Sequence, residues 1–382
     1  MGKKSKKMKW DGILFPPAVG YYFSILINLY RKNKVQGKYY LRLFMLGAIN
    51  LINKPFRFYE RYFINPGFKE KTLENSPVFI LGHWRSGTTY LHNLLCENPD
   101  TAYITTYQSV FPNALFGKAG RLLFLGFMKL LIPKTRKADN VKLNSEFPQE
   151  EGFIVGNKVP ICYYYFWYFP QNAARFYREA IEFKDVSDQL IADWKEDYAL
   201  LIKKAVENTK GKYFVSKNPP NTGRIKQLLE MFPDAKFVHI YRNPIIVFLS
   251  TQHFFKTVLP SLQLQEISDD DLDELIFTVY NKMMHSYLED KKLIPKENLI
   301  EIRFEDMEKQ PMDTVEAIYK QLRLPGFEKH RDLFVRYTES KKGYTKNSYK
   351  ISRKILDRIL AEWDFAMKEW DYKLPDNLEI VG

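Results

Sequence analysis

The spacing of apolar residues along this chain changes repeatedly, and each change marks an element. After Pro77, Val78-Phe79-Ile80-Leu81 is a continuous apolar run of strand length that ends at Gly82. Residues 88–96 follow with Leu91, Leu94 and Leu95 at helical spacing, and Asn98-Pro99-Asp100 stops that helix. Three more short β-type runs cover residues 213–216, 236–241 and 299–304. Helices are predicted over 37–64 (aromatic-rich, ending near Pro66-Gly67), 187–208 and 222–232. Strands alternating with helices imply βαβ units, so the expected class is α/β, with a central parallel sheet and helices on both faces. Residues 102–135 form a long apolar insertion, and residues 163–169 form an unbroken aromatic run. These suit either the walls of an apolar pocket or plain core. Residues 145–151 read as a helix start, with Pro148 near its first position and acids in the first turn. Residues 312–382 read as helical and charged, broken at Lys341-Lys342-Gly343.

With 382 residues, 45% of them hydrophobic, the chain can bury a large core. The expected organisation is an arm over 1–70 and one α/β domain over 71–382, with an acceptor-pocket insertion near 102–185. The net charge of +13 calls for an anionic partner, and composition leaves nucleotide, nucleic acid and lipid headgroups open. Cys96 and Cys162 have no paired or metal-like spacing, and the six histidines do not cluster. Reduced thiols in a cytoplasmic setting, and no metal site, are therefore expected. No Asn-x-Ser/Thr sequence occurs, which argues against a glycosylating pathway. The N-terminus carries a basic run from Lys3 to Lys9, then an uncharged stretch from Gly12 to Tyr30. An interfacial or docked helix fits that stretch better than a membrane span or a core helix, because Pro16, Pro17 and Gly20 interrupt it.

The most specific segment runs from Val78 through Gly82-His83-Trp84-Arg85-Ser86-Gly87-Thr88-Thr89-Tyr90. A strand turns through a glycine-containing loop into a helix N-terminus, where free N–H groups and the helix dipole favour an anion. A Walker A loop is excluded, since the Gly-Lys-Ser/Thr triplet is missing. Arg-Ser-Gly-Thr-Thr after an apolar strand resembles the 5′-phosphosulfate loop of the sulfotransferases that use 3′-phosphoadenylyl sulfate (PAPS), in their bacterial branch. The resemblance implies a P-loop-like three-layer fold, PAPS as co-substrate and no metal. It assigns Arg85, Ser86, Gly87, Thr88 and Thr89 to the 5′-phosphate; Tyr90 falls where some members place an aromatic against adenine, and equally suits a core position.

Two further segments extend the resemblance, which covers roughly residues 77–306. Phe237-Val238-His239-Ile240-Tyr241 delivers Arg242, and Ser250 lies about two helical turns beyond; in the family such a pair binds the 3′-phosphate. Lys217 directly follows the run 213–216, at the edge where open α/β sheets bind ligands; the family places a lysine there against the bridging oxygen. The animal branch has a histidine base two positions later, where this chain has Pro219, so another base is required. Glu150 is the first candidate, in Pro148-Gln149-Glu150-Glu151, a motif like one in the bacterial branch. Glu151, His83 and His92 are the others, while the two acids would also serve a helix dipole. Lys341-Lys342-Gly343 could form a flap that brings Lys342 to the 3′-phosphate, or a solvated charge run. The function implied is sulfuryl transfer from PAPS to an acceptor hydroxyl, of a sterol or lipid before a polysaccharide, with no nucleic-acid partner. The alternatives are a P-loop-type phosphotransferase and a non-catalytic basic membrane- or nucleic-acid-binding protein.

Overall fold

The computed structural model describes residues 21–131, 144–341 and 349–381. Five parallel strands form the central sheet: β1 (Val78–Leu81), β2 (Thr101–Ala102), β3 (Tyr213–Lys217), β4 (Lys236–Tyr241) and β5 (Leu299–Arg303). Their spatial order is β2-β3-β1-β4-β5. β1 therefore occupies the centre, and the chain crosses from one side of it to the other between β3 and β4. A ligand crevice belongs at the carboxyl ends of strands at such a crossing.

All four residues of β1 are fully buried. Alternation along the strand splits them between two cores. Val78 and Ile80 join Val215, Val238 and Ile240 on one face. Phe79 and Leu81 join Phe214 and Phe237 on the other. Helices cover both, which gives the three layers expected and explains why these runs are continuously apolar.

The helix expected over 187–208 is Asp188–Thr209, started by Ser187, whose hydroxyl accepts from the Leu190 amide at 3.3 Å. The expectation over 37–64 is met by Tyr40–Tyr59, carried on through a π turn, Glu60–Ile64. One helix among the described residues is long and apolar enough to cross a membrane, Pro244–Leu262. It packs into the main core through Ile245, Val247, Phe248, Phe255 and Leu259. A two-stranded parallel pair, β6 (Tyr349–Ser352) and β7 (Leu378–Val381), closes the C-terminal region.

Two readings change. β2 has no apolar run to announce it, being only two residues long. Residues 145–150 are not a helix start; only a 3₁₀ turn, Glu151–Phe153, follows them. The reason lies in the backbone partners: Thr106 and Tyr107 donate to the carbonyls of Phe147 and Ser145, and Gln149 donates to that of Ile104, each at 2.8 Å. Groups a helix would pair internally are used against a neighbouring segment.

Candidate active site

The loop after β1 is held open by backbone geometry. Gly82 has φ +144° and lies so close to β4 that a Cβ there would sit 2.4 Å from the Ile240 carbonyl. Gly87, φ +98°, would place a Cβ 2.2 Å from the Phe304 ring. Arg85 itself takes a left-handed φ of 70°. Thr222 pins the start of the loop, accepting from the Gly82 amide at 2.8 Å. Gly87 then caps the Thr88–Leu95 helix with no side chain and no acid in the first turn. Its leading N–H groups are thus left for an anion.

The second motif closes on the first. Arg85 Nε donates to Ser250 Oγ at 3.0 Å, and Arg242 donates to the Arg85 carbonyl at 3.3 Å. Arg85 lies over the Phe254 ring and Arg242 over that of Phe304, 5.2 and 4.2 Å from the centroids. All of Arg85, Thr89, Tyr90, Arg242 and Ser250 line one cleft of about 1470 Å³. Gly87 and Thr88 line it too, and Ser86 is buried in the loop between. Tyr90 reaches the cleft while its ring packs 5.9 Å from that of Tyr337. Lys342 and Lys346 lie outside the described residues.

Lys217 ends β3, its ammonium buried and ion-paired to Glu150 Oε1. Tyr164 donates to the other oxygen of Glu150 at 2.5 Å. Glu150 lines the cleft beside Pro219.

Glu151 points elsewhere, because the backbone at Glu150 is extended (ψ 134°) and neighbouring side chains diverge. Its buried Oε1 accepts from Ser216, from Tyr198 at 2.7 Å and from Asn221 at 3.1 Å. Burial raises its pKa above the ordinary carboxylate value.

His83 is buried against Trp84 and Tyr280, with Nδ1 2.9 Å from the Trp84 carbonyl, and it is not among the residues lining the cleft. That carbonyl only accepts, so Nδ1 carries the hydrogen. Burial lowers its pKa to about 4. His92 is buried at 3.3 Å from the Val215 carbonyl, and burial, with the Lys217 charge second, lowers it to about 3.

Four contributors escape sequence reasoning: Thr222, Phe254, Phe304 and Tyr164. Tyr164 belongs to the aromatic run 163–169, every member of which is buried in the main core rather than lining the cleft. Nothing in that run marks Tyr164 as the member whose hydroxyl reaches a carboxylate.

Comparison with known proteins bears on the family and the fold. Residues 77–329 match the sequence profile of the Sulfotransferase family. The chain is 28% identical over 363 residues to omega-hydroxy-beta-dihydromenaquinone-9 sulfotransferase Stf3 of Mycobacterium bovis (strain ATCC BAA-935 / AF2122/97), covering 94% of this chain and 92% of that protein. The crystal structure of sulfotransferase STF9 from Mycobacterium avium superposes with a TM-score of 0.70 at 16% identity, covering 92% of this chain and 90% of that one. That of sulfotransferase STF1 from Mycobacterium tuberculosis H37Rv does so with a TM-score of 0.59, also at 16% identity, covering 89% and 90%. With more than half its length matched and the same fold in both structures, the chain belongs to the sulfotransferase family and is an enzyme of sulfuryl transfer.

Proposed function

We propose that the protein transfers the sulfuryl group of PAPS to the hydroxyl of a lipophilic alcohol, and that the cleft at the ends of β1, β3 and β4 is where it does so. The observation that carries this reading is the convergence, around one cleft, of an uncapped helix N-terminus, two arginines with Ser250, and a lysine–carboxylate pair. The helix N-terminus and the linked Arg85, Ser250 and Arg242 offer anion-binding groups enough for both anionic ends of one nucleotide. Ser86 to Thr89 and Arg85 are proposed to hold the 5′-phosphate through backbone N–H groups and the guanidinium. Arg242 and Ser250 are proposed to hold the 3′-phosphate, and Tyr90 to flank the base.

For the chemistry, Glu150 is proposed to accept the proton of the acceptor hydroxyl as its oxygen bonds to sulfur. Lys217 stabilises the negative charge gathering on the bridging oxygen as the old S–O bond breaks. Tyr164 and Lys217 each hold one oxygen of the Glu150 carboxylate and so fix it at the wall of the cleft. Glu151 is proposed to organise the ends of β3 and the following turn, and neither it nor His83 to move the proton.

The acceptor class rests on the chain-length similarity to a protein whose name gives it a hydroxylated menaquinone. The enzyme is accordingly read as cytoplasmic, working against the membrane leaflet that holds such a molecule. The organisation proposed is a catalytic domain over 71–382 with residues 1–70 as an arm. Calorimetric titration of 3′,5′-adenosine bisphosphate against adenosine 5′-phosphate tests the donor site, with clear preference for the bisphosphate expected. Transfer of labelled sulfate to hydroxylated isoprenoid and sterol panels tests the acceptor. Equal affinity for both nucleotides would overturn the donor assignment; transfer only to sugars would overturn the acceptor class.

A further inference from the structure

An amphipathic surface helix ordinarily buries its apolar stripe and shows its polar face to water. The segment formed by Tyr40–Tyr59 and the turn Glu60–Ile64 does the reverse. Its buried positions are Arg42, Leu46, Asn50, Asn53, Arg57 and Glu60. The charged ones are specifically held. Arg42 donates to the carbonyls of Gln263 (2.5 Å) and Pro260 (3.1 Å), and Arg57 donates to that of Tyr21. Glu60 pairs with Lys204, each only 1% exposed, and accepts from the Leu115 amide at 2.6 Å.

Outward, Tyr40, Phe44, Leu51, Phe58, Tyr62 and Phe63 recur at helical spacing, with Phe44 72% and Phe63 67% exposed. The stripe runs about 35 Å at 1.5 Å per residue. Phe56 packs this segment against the Lys118–Leu131 helix through Phe124 and Gly120, and that helix adds Leu122, 74% exposed. A contiguous apolar face of this extent marks an interaction site.

We propose that this face docks onto an anionic lipid bilayer, as a peripheral rather than a spanning contact. The charge pattern selects the partner. Residues 21–64 contain eight basic residues and one carboxylate, Glu60, which is buried and already paired. Lys54 and Arg61 are exposed cations on the segment that carries the apolar stripe, and Arg31 and Lys34 are exposed just before it, the composition of a surface that seats in headgroups. A second copy fits poorly, since the same face repeated across a two-fold axis brings no exposed carboxylate from residues 21–64 to meet Lys54 and Arg61. The proposal supplies the membrane-side partner for the lipid-acceptor reading above, and rests on that reading only for its biological sense.

Sedimentation of the full-length protein with phosphatidylcholine vesicles, with and without phosphatidylglycerol, tests it. Wild type should sediment, more strongly with the anionic lipid. Phe44→Ser/Phe63→Ser should weaken binding by about a hundredfold or more, since two apolar rings are withdrawn from the bilayer. Lys54→Glu/Arg61→Glu should abolish the preference for phosphatidylglycerol. Both double variants should bind 3′,5′-adenosine bisphosphate as wild type does, which shows that they are folded. Loss of nucleotide binding in wild type with vesicle binding kept would sink the donor assignment and leave the docking face standing. Wild type staying in the supernatant would overturn the proposal, as would vesicle binding that survives Phe44→Ser/Phe63→Ser. Light scattering that shows a dimer converted to monomer by the same variant, without lipid binding, would assign the face to self-association instead.

Discussion

Lys217 and Glu150 form an ion pair in which one residue ends a central strand and the other arrives from a loop of the insertion. The two charges proposed for the two ends of the transfer, one for the attacking hydroxyl and one for the departing oxygen, therefore position each other.

Removing the carboxylate charge should separate chemistry from binding. Glu150→Gln is expected to lower kcat by about 10²–10⁴-fold, the usual contribution of a positioned base. Affinity for 3′,5′-adenosine bisphosphate should stay within a few-fold of wild type. Steady-state kinetics with calorimetry checks both, and a Glu150→Gln enzyme of normal kcat would move the base elsewhere.

Lys217→Ala should lower kcat by about 10²–10³-fold, as loss of a preorganised electrostatic contact does. The loss should shrink with a donor whose leaving group is less basic. A Brønsted comparison across leaving groups in wild type and variant would expose the lysine's share, and an unchanged slope would reject its placement at the bridging oxygen.

Arg242→Ala should cost about 1.5–3 kcal/mol in bisphosphate binding, the value of hydrogen bonds to a charged group. Binding of adenosine 5′-phosphate should change little. Ser250→Ala should do the same more weakly and also loosen Arg85, to which Ser250 is hydrogen-bonded. If both nucleotides lose equally, Arg242 reads general charge rather than the 3′-phosphate.

Glu151 offers a test on stability instead of rate. Its pKa is raised from 4.5, so the folded chain holds a proton that the unfolded chain releases. Stability should then decline as pH rises from about 4.5 through the raised value. Glu151→Gln keeps a polar partner for Ser216 and Tyr198 without that charge, and should flatten this part of the curve. Urea midpoints across pH measure it.

His83 works in the opposite sense. With a folded pKa near 4 against an ordinary 6.5, its contribution is complete above 6.5 and is lost as pH falls toward 4. The full difference is about 3 kcal/mol, at 1.36 kcal/mol per unit. His83→Gln should remove that acid-side slope. Its effect on the pH profile of kcat should be small, because the ring stays neutral throughout the working range.

The side of the cleft proposed to hold the donor is legible in the sequence because it is local. Val78–Leu81 followed by Gly82, and Lys236–Tyr241 followed by Arg242, are contiguous patterns whose chemistry follows from strand, turn and helix in order. The carboxylates are harder, since Glu150 and Glu151 are adjacent and only the extended backbone at Glu150 decides which one meets the cleft. That backbone depends on pairing with Ile104 and its neighbours, far from any short-range signal. The helix beginning at Tyr40 poses the same difficulty in another form. Its apolar and polar residues have one periodicity whichever face is turned inward, and only the partners of Arg42, Arg57 and Glu60 settle the choice.

The place of β1 at the middle of the sheet also has a meaning for biosynthesis. The strand leaves the ribosome early, yet both its neighbours, β3 and β4, are encoded well over a hundred residues downstream. Until they emerge, Val78–Leu81 is a bare, wholly apolar edge. The nascent enzyme thus carries an unpaired apolar strand while well over a hundred further residues are synthesised, so cellular yield should depend on chaperone supply more than the finished fold's stability suggests.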